Sequence, residues 1–230
     1  MIDYFGKVIQ YITDHQDTVS HLFVQHMQLC GTALGIAFLI AVPLGILISR
    51  FPVLYTPILG LLGAAYTIPS LAFFAILVPF VGLGAPNAVI ALVVYAQFIL
   101  VRNIVTGLRN VDPTIVEAAR GMGMNPLQIL WRVELPLALP VIVAGLRIAT
   151  VTVIGVTTIA TYISAGGLGD ILSDGVQKIL PLAQAEVGAG ALASGLLAVL
   201  ADLLLRLIEN RAAHASGRAQ TPRSLARATR

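Results

Sequence analysis

The chain has 230 residues, is 57% hydrophobic and only 11% charged, and carries a formal net charge of +3 at pH 7 with a mean hydropathy of +0.90. That composition excludes a soluble globule, which would leave more apolar surface in water than it can bury, and predicts an all-α integral membrane protein. The single cysteine, Cys30, lies in an apolar run, which excludes an intrachain disulfide or a cysteine metal centre and leaves packing as its role.

In chain order, residues 1–17 carry Asp3, Lys7, Asp14 and Asp17 without a basic start leading into an apolar core, so a cleaved signal peptide is not expected. The first uncharged run, Met27 to Ser49, is long enough to cross about 30 Å of hydrocarbon. His15, His21 and His26 lie near its outer end at spacings that do not share a helical face, and they read as surface residues rather than metal ligands. Gly31 and Gly35 form a GxxxG pair of the kind that permits close helix contact, although chance explains it equally well in so glycine-rich a chain. The uncharged run from Phe51 to Val101 is too long for one helix. Gly82, Gly84, Pro86 and Asn87 divide it into a second span near Pro57 to Phe80 and a third near Asn87 to Gly107. Pro69 and Pro79 are expected to bend or break the second span, which requires neighbouring helices or water to satisfy the freed carbonyls.

Between Val111 and Pro140 the chain turns polar and punctuated. Asp112 caps a helix with Pro113 first, Gly121 and Gly123 end it, and Asn125 caps a second helix that has Pro126 first and Gln128 in the capping-box position. Pro136 and Pro140 are expected to bound that second helix. The reading is two short helices on a glycine hinge, with Ile115, Val116, Ala119, Ile129, Leu130 and Val133 as apolar faces and Glu117, Arg120 and Arg132 free to pair across an interface. On physics alone, a loop lying against its own domain is as good a reading.

A fourth span runs from about Pro140 to Ser164, with Arg147 placed to snorkel toward the headgroups, and the motif AGGLGD, Ala165 to Asp170, ends it. That motif only faintly resembles a phosphate loop and reads as a hinge or a docking loop. A segment with Asp170, Asp174, Lys178 and Glu186 leads to a fifth span, about Val187 to Leu207, where Asp202 and Arg206 are spaced to pair on one helical face. Five spans put the termini on opposite sides. Arg50, Arg102, Arg109, Arg120, Arg132, Arg147, Arg206 and the five arginines after Glu209 fall on one side, Lys7 and Lys178 on the other. The positive-inside rule then places the N-terminus outside and the C-terminus and the two short helices in the cytoplasm. Residues 1–210 form the membrane domain, with the polar loop at about 111–140. Residues 211–230 read as a basic, disordered tail suited to anionic lipid rather than to nucleic acid, since it has no aromatic residue for stacking.

The polar loop also resembles a known motif. Glu117, Ala118 and Ala119, then Gly123, then Val133, Leu135 and Pro136 reproduce the EAA loop of ABC-importer permeases, with Val133 in place of isoleucine as the one departure. The resemblance implies a type I importer core of about five spans in a prokaryotic cytoplasmic membrane. It implies a coupling loop at Glu117, Ala118, Ala119, Arg120, Gly121, Gly123, Leu135 and Pro136 that docks on a separate ATP-hydrolysing subunit present in two copies. A second permease copy or paralogue, a separate extracytoplasmic substrate-binding protein and membrane lipid are the other implied partners. Narrower similarities in Thr67 to Gly84, Val101 to Leu108, Val133 to Arg147 and AGGLGD resemble the glycine betaine, carnitine and choline branch; methionine importers share parts of the pattern. Tyr66, Pro69, Phe73, Tyr95 and Tyr162 are candidates for the translocation path, since quaternary ammonium groups sit over aromatic faces, although packing accounts for most membrane aromatics. No nucleophile, base and orienting group occur together and no Walker motif is present, so the chain is expected to be neither an enzyme nor dependent on a cofactor or metal. An ATP-independent carrier or channel is the alternative from another class; it usually shows mid-membrane ionisable groups or inverted repeats.

Overall fold

The computed structural model describes residues 2–178 and 183–215, and among these every regular element is helical. Ten α-helices follow one another: α1 Ile2–Asp14, α2 Gln16–Arg50, α3 Tyr55–Thr67, α4 Ser70–Val81, α5 Ala85–Arg109, α6 Pro113–Gly121, α7 Pro126–Ile129, α8 Leu135–Thr157, α9 Gly169–Gln177 and α10 Ala183–Ala215. Four stretches are single helices long and apolar enough to cross a membrane: α2, α5, the continuous run Pro126–Thr157, and most of α10. The pair α3 and α4 makes a fifth span if counted as one broken unit, since the two bend by 99°. The five expected spans are thus present. Of the expected tail, residues 216–230 lie outside the described residues.

The core forms where α2, α5 and α8 meet. Ala33, Ala37 and Ala41 on α2 are fully buried in one row that continues through Gly45 to Ile48, opposite Leu92, Ala96, Leu100 and Ile104 of α5. Small residues let two helices approach closely where lipid supplies no hydrophobic drive between them. A Cβ on Gly45 would meet Ile104 Cγ2 at 2.5 Å, and one on Gly145 of α8 would meet Asn103 Cβ at 2.3 Å. The seam is therefore the alanine row; Gly31 and Gly35 face away from it with nothing near them.

Several expectations change. The first long helix begins at Gln16, well before Met27, and α1 precedes it, packed against α10 through Val8 and through the Tyr4 hydroxyl, which donates to the carbonyl of Gln184 at 3.0 Å. His15 and His21 are exposed, but His26 is fully buried, where its Nδ1 accepts from the backbone N–H of Leu168 at 3.3 Å. Pro69 does break the second span, whereas Pro79 lies inside α4 without ending it. Asp202 takes its partner from α8 rather than from Arg206. It accepts from Arg147 of α8 at 3.2 Å, and Glu209 flanks Arg147 Nε at 3.1 Å without a well-directed hydrogen bond. Arg147, expected to snorkel, instead ties α8 to α10, because two carboxylates brought in by another helix offer more than a distant headgroup.

Candidate functional site

Two features stand apart from the packed bundle: the hinged pair α6 and α7 at the arginine-rich end, and the break in the second span. The first is built by strong local signals. Asp112 caps α6 by accepting from the backbone N–H of Thr114 at 2.8 Å and from its hydroxyl at 2.7 Å. Those bonds favour the ionised form and hold the Asp112 carboxyl below its usual range. Asn125 and Gln128 form the full capping box of α7, each side chain satisfying the other residue's backbone N–H, at 2.9 Å and 3.0 Å. Between the helices Gly123 has φ +81°, a left-handed conformation that turns the chain without strain only because glycine has no Cβ. Its N–H donates to Arg120 and that of Met124 to Ala119.

The second short helix does not stop at Pro136 and Pro140. After α7 the chain widens into a π turn, Leu130–Glu134, and runs on into α8 with Pro136 in its first turn and Pro140 inside it. The wider turn gives the ring of Pro136 room that a regular α-turn would deny it, and so lets the helix continue. Among the apolar residues singled out on the two helices, Ala119, Ile129 and Leu130 are buried within the chain, while Ile115 is exposed. The surface instead carries Met122 at 72% exposure, Leu127 at 68% and Trp131 at 63%, beside the exposed Glu117, Ala118, Arg120 and Gly121. These three were not picked out from sequence; the exposed side of two capped helices becomes readable only once the hinge angle is known. Leu135 is half-buried and Pro136 exposed, at the root of the pair.

At the break in the second span the structure brings together four of the five residues proposed for a path. Pro69 ends α3, Tyr66 lies edge-on to Tyr95 with ring centroids 5.7 Å apart, and Phe73 meets Tyr95 at 5.8 Å. Phe98 joins them at 5.2 Å from Tyr66. The Tyr95 hydroxyl donates to the carbonyl of Ile68, at the break itself, so a neighbouring helix satisfies one of the backbone groups there. One turn further along α5, a recess of about 370 Å³ is lined by Phe98, Arg102, Asn103, Thr106 and Ile148. Tyr162 is exposed on a separate short 3₁₀ turn and makes no ring contact with this cluster.

The AGGLGD motif is held against the bundle. Gly166 and Gly167 have positive φ, and the Gly167 N–H donates to Gln25 Oε1 at 3.3 Å beside the His26 contact. Thr161 donates to the carboxylate of Asp170, which lies in the first turn of α9. Near the same end Lys178 pairs with Glu186 at 2.8 Å, which raises the lysine's pKa.

Residues 41–214 match the model of the family described as binding-protein-dependent transport system inner membrane component. The chain is 40% identical over 194 residues to the carnitine transport permease protein OpuCB of Listeria monocytogenes, covering 84% of this chain and 85% of that one. It is 42% identical over 208 residues to the osmoprotectant import permease protein OsmW of Salmonella typhimurium, covering 87% and 94%. Among solved structures, an inward-facing conformation of the MetNI methionine ABC transporter superposes with a TM-score of 0.76 at 23% identity, over 86% of this chain and 97% of that one. At that identity the likeness shows the fold.

Proposed function

The chain belongs to the family of binding-protein-dependent transport system inner membrane components, and from that premise we propose that its cargo is glycine betaine, carnitine, choline or a related quaternary-amine osmoprotectant. It is the multi-pass permease subunit of an ABC importer in the inner membrane and not itself an enzyme; the family works with a separate ATP-binding subunit and a substrate-binding protein. Relatives named for carnitine and osmoprotectant transport support the cargo. The aromatic cluster of Tyr66, Phe73, Tyr95 and Phe98 supports a path suited to a passing quaternary ammonium group.

One observation carries the mechanism: a rigidly capped helix pair whose outer surface presents Met122, Leu127 and Trp131, each left mostly exposed by the described residues of its own chain. So much exposed apolar surface on so short an element marks a contact site. In the proposed arrangement α6 and α7 face the cytoplasm with the C-terminus, the N-terminus is outside, and two ATP-binding subunits each receive one such pair from two permease copies or paralogues. Glu117 to Gly123 and Leu135 to Pro136 form the coupling element. ATP binding favours the closed ATPase pair, the docked helices move with it, and the path opens outward where the loaded binding protein waits.

Reconstitution tests this. Uptake of labelled betaine, choline, carnitine and methionine into proteoliposomes is measured with the binding protein outside and ATP inside. Uptake of a quaternary amine that requires both ATP and the ATP-binding subunit is expected, and Glu117→Lys abolishes it. Transport that ignores ATP points to a carrier, and methionine as the only substrate overturns the proposed cargo.

A further inference from the structure

The arginine-rich end of the bundle holds a charged contact with no part in docking or in the path. Glu134 closes the π turn, and its carboxylate is largely shielded from solvent. Both its oxygens accept from the guanidinium of Arg50, the last residue of α2: Nη1 donates to Oε1 at 3.2 Å and Nη2 to Oε2 in a shorter contact. Two parallel bonds from a planar fork fix orientation as well as distance, because neither group can rotate about one bond without breaking the other.

The location of this pair is what gives it consequence. Between Leu130 and Glu134 the helix is widened, and Pro136 and Pro140 each remove a backbone donor just beyond. Helices bend at such places. Motion delivered to α7 and passed only along its own helix would be absorbed there. Arg50 offers a second route from the weak point directly to the end of α2. That end is in turn tied to α5, since Arg109 donates to the carbonyl of Ile48 at 3.4 Å, and the same guanidinium lies 4.7 Å over the ring of Tyr55 at the start of α3.

We propose that the Arg50–Glu134 pair is a positioning strut that transmits movement of α6 and α7 to α2 and, through it, to α5, so that three helices shift together instead of α8 flexing alone. The proposal rests on the reading that α6 and α7 dock on the ATP-binding subunit. A pair that only holds the fold together sets how much protein folds; a strut sets how much solute moves for each ATP hydrolysed.

The test uses the full complex in proteoliposomes with its binding protein, reading solute uptake per ATP hydrolysed beside co-purification of the ATP-binding subunit. Glu134→Gln keeps the shape and removes the charge. Its uptake per ATP is expected to fall roughly three- to thirtyfold, with co-purification unchanged. Arg50→Lys, which keeps the charge and loses the fork, should fall between that variant and the native chain. Exchanging the two, Arg50→Glu with Glu134→Arg, should recover most of the ratio lost by Arg50→Glu alone. The strut is overturned if Glu134→Gln keeps the native ratio, or if folded yield and co-purification drop in step with uptake and the exchange restores neither. Failure of the docking reading shows separately, as co-purification that survives Met122→Asp and Trp131→Asp together.

Discussion

Gly123 allows backbone conformation and partner contact to be separated by experiment. Its φ of +81° lies in the left-handed region, and an added Cβ would have no described residue beyond its two chain neighbours within 4 Å. Alanine there meets no steric obstacle, so its whole effect is conformational, about 1–2 kcal/mol for placing an L-residue left-handed. That corresponds to roughly a five- to thirtyfold drop in the population holding the turn. Asparagine enters this region readily and should leave the turn nearly intact. Aspartate has the same shape and a similar backbone tolerance, so any further loss on going from Gly123→Asn to Gly123→Asp reports the charge alone, meeting whatever surface lies opposite. The expected order of initial uptake rates, at saturating binding protein and ATP, is native, then Gly123→Asn, then Gly123→Ala, with Gly123→Asp abolishing transport. Equal rates for alanine and native chains would refute the conformational argument, and equal rates for asparagine and aspartate would refute the contact argument.

Gly145→Ala forces a Cβ to 2.3 Å from that of Asn103 and should destabilise the α5–α8 contact by about 1–3 kcal/mol. On the same helix Gly155→Ala, with nothing within 4 Å, should be neutral or stabilising by up to about 1 kcal/mol; thermal unfolding in detergent compares the two directly. Arg147→Met leaves Asp202 and Glu209 without their cation and should cost roughly 1–3 kcal/mol after discounting for their partial exposure, with Asp202→Asn milder because Glu209 remains beside the arginine. The measurement is the same unfolding midpoint, and a larger loss for Asp202→Asn would reverse the assignment. The depressed pKa of Asp112 gives α6 a contribution that is present above the ordinary aspartate value of about 3.9 and is lost as pH falls through the lower folded value. Carboxyl carbon titration of Asp112 should place its midpoint below that ordinary value, and Thr114→Ala should raise it.

What could be read without coordinates was whatever depends on a few neighbouring residues. The uncharged runs foretold the spans, the proline at position 69 foretold the break, and Asp112 and the Asn125–Gln128 pair foretold the starts of α6 and α7, because caps and breaks are settled within one helical turn. The spacing from Glu117 to Pro136 marked the proposed docking element, but not its outer face, since which residues of the pair stay exposed, Met122, Leu127 and Trp131 among them, depends on the turn at Gly123. Tertiary structure alone decided which side of each long helix is inside. Helices apolar all round carry no amphipathic stripe to announce it, so nothing in the sequence marks the alanine row from Ala33 to Ala41, and the GxxxG pair of Gly31 and Gly35, no better than chance as a contact signal, faces elsewhere. It likewise buried His26 against a loop from the far side of the sequence, gave Arg147 its partners from α10 rather than the headgroups, and carried the helix past Pro136 by widening one turn. Each of these depends on residues distant in sequence, or on a backbone adjustment that depends on them, and low dielectric makes such polar meetings strong enough to override local preference.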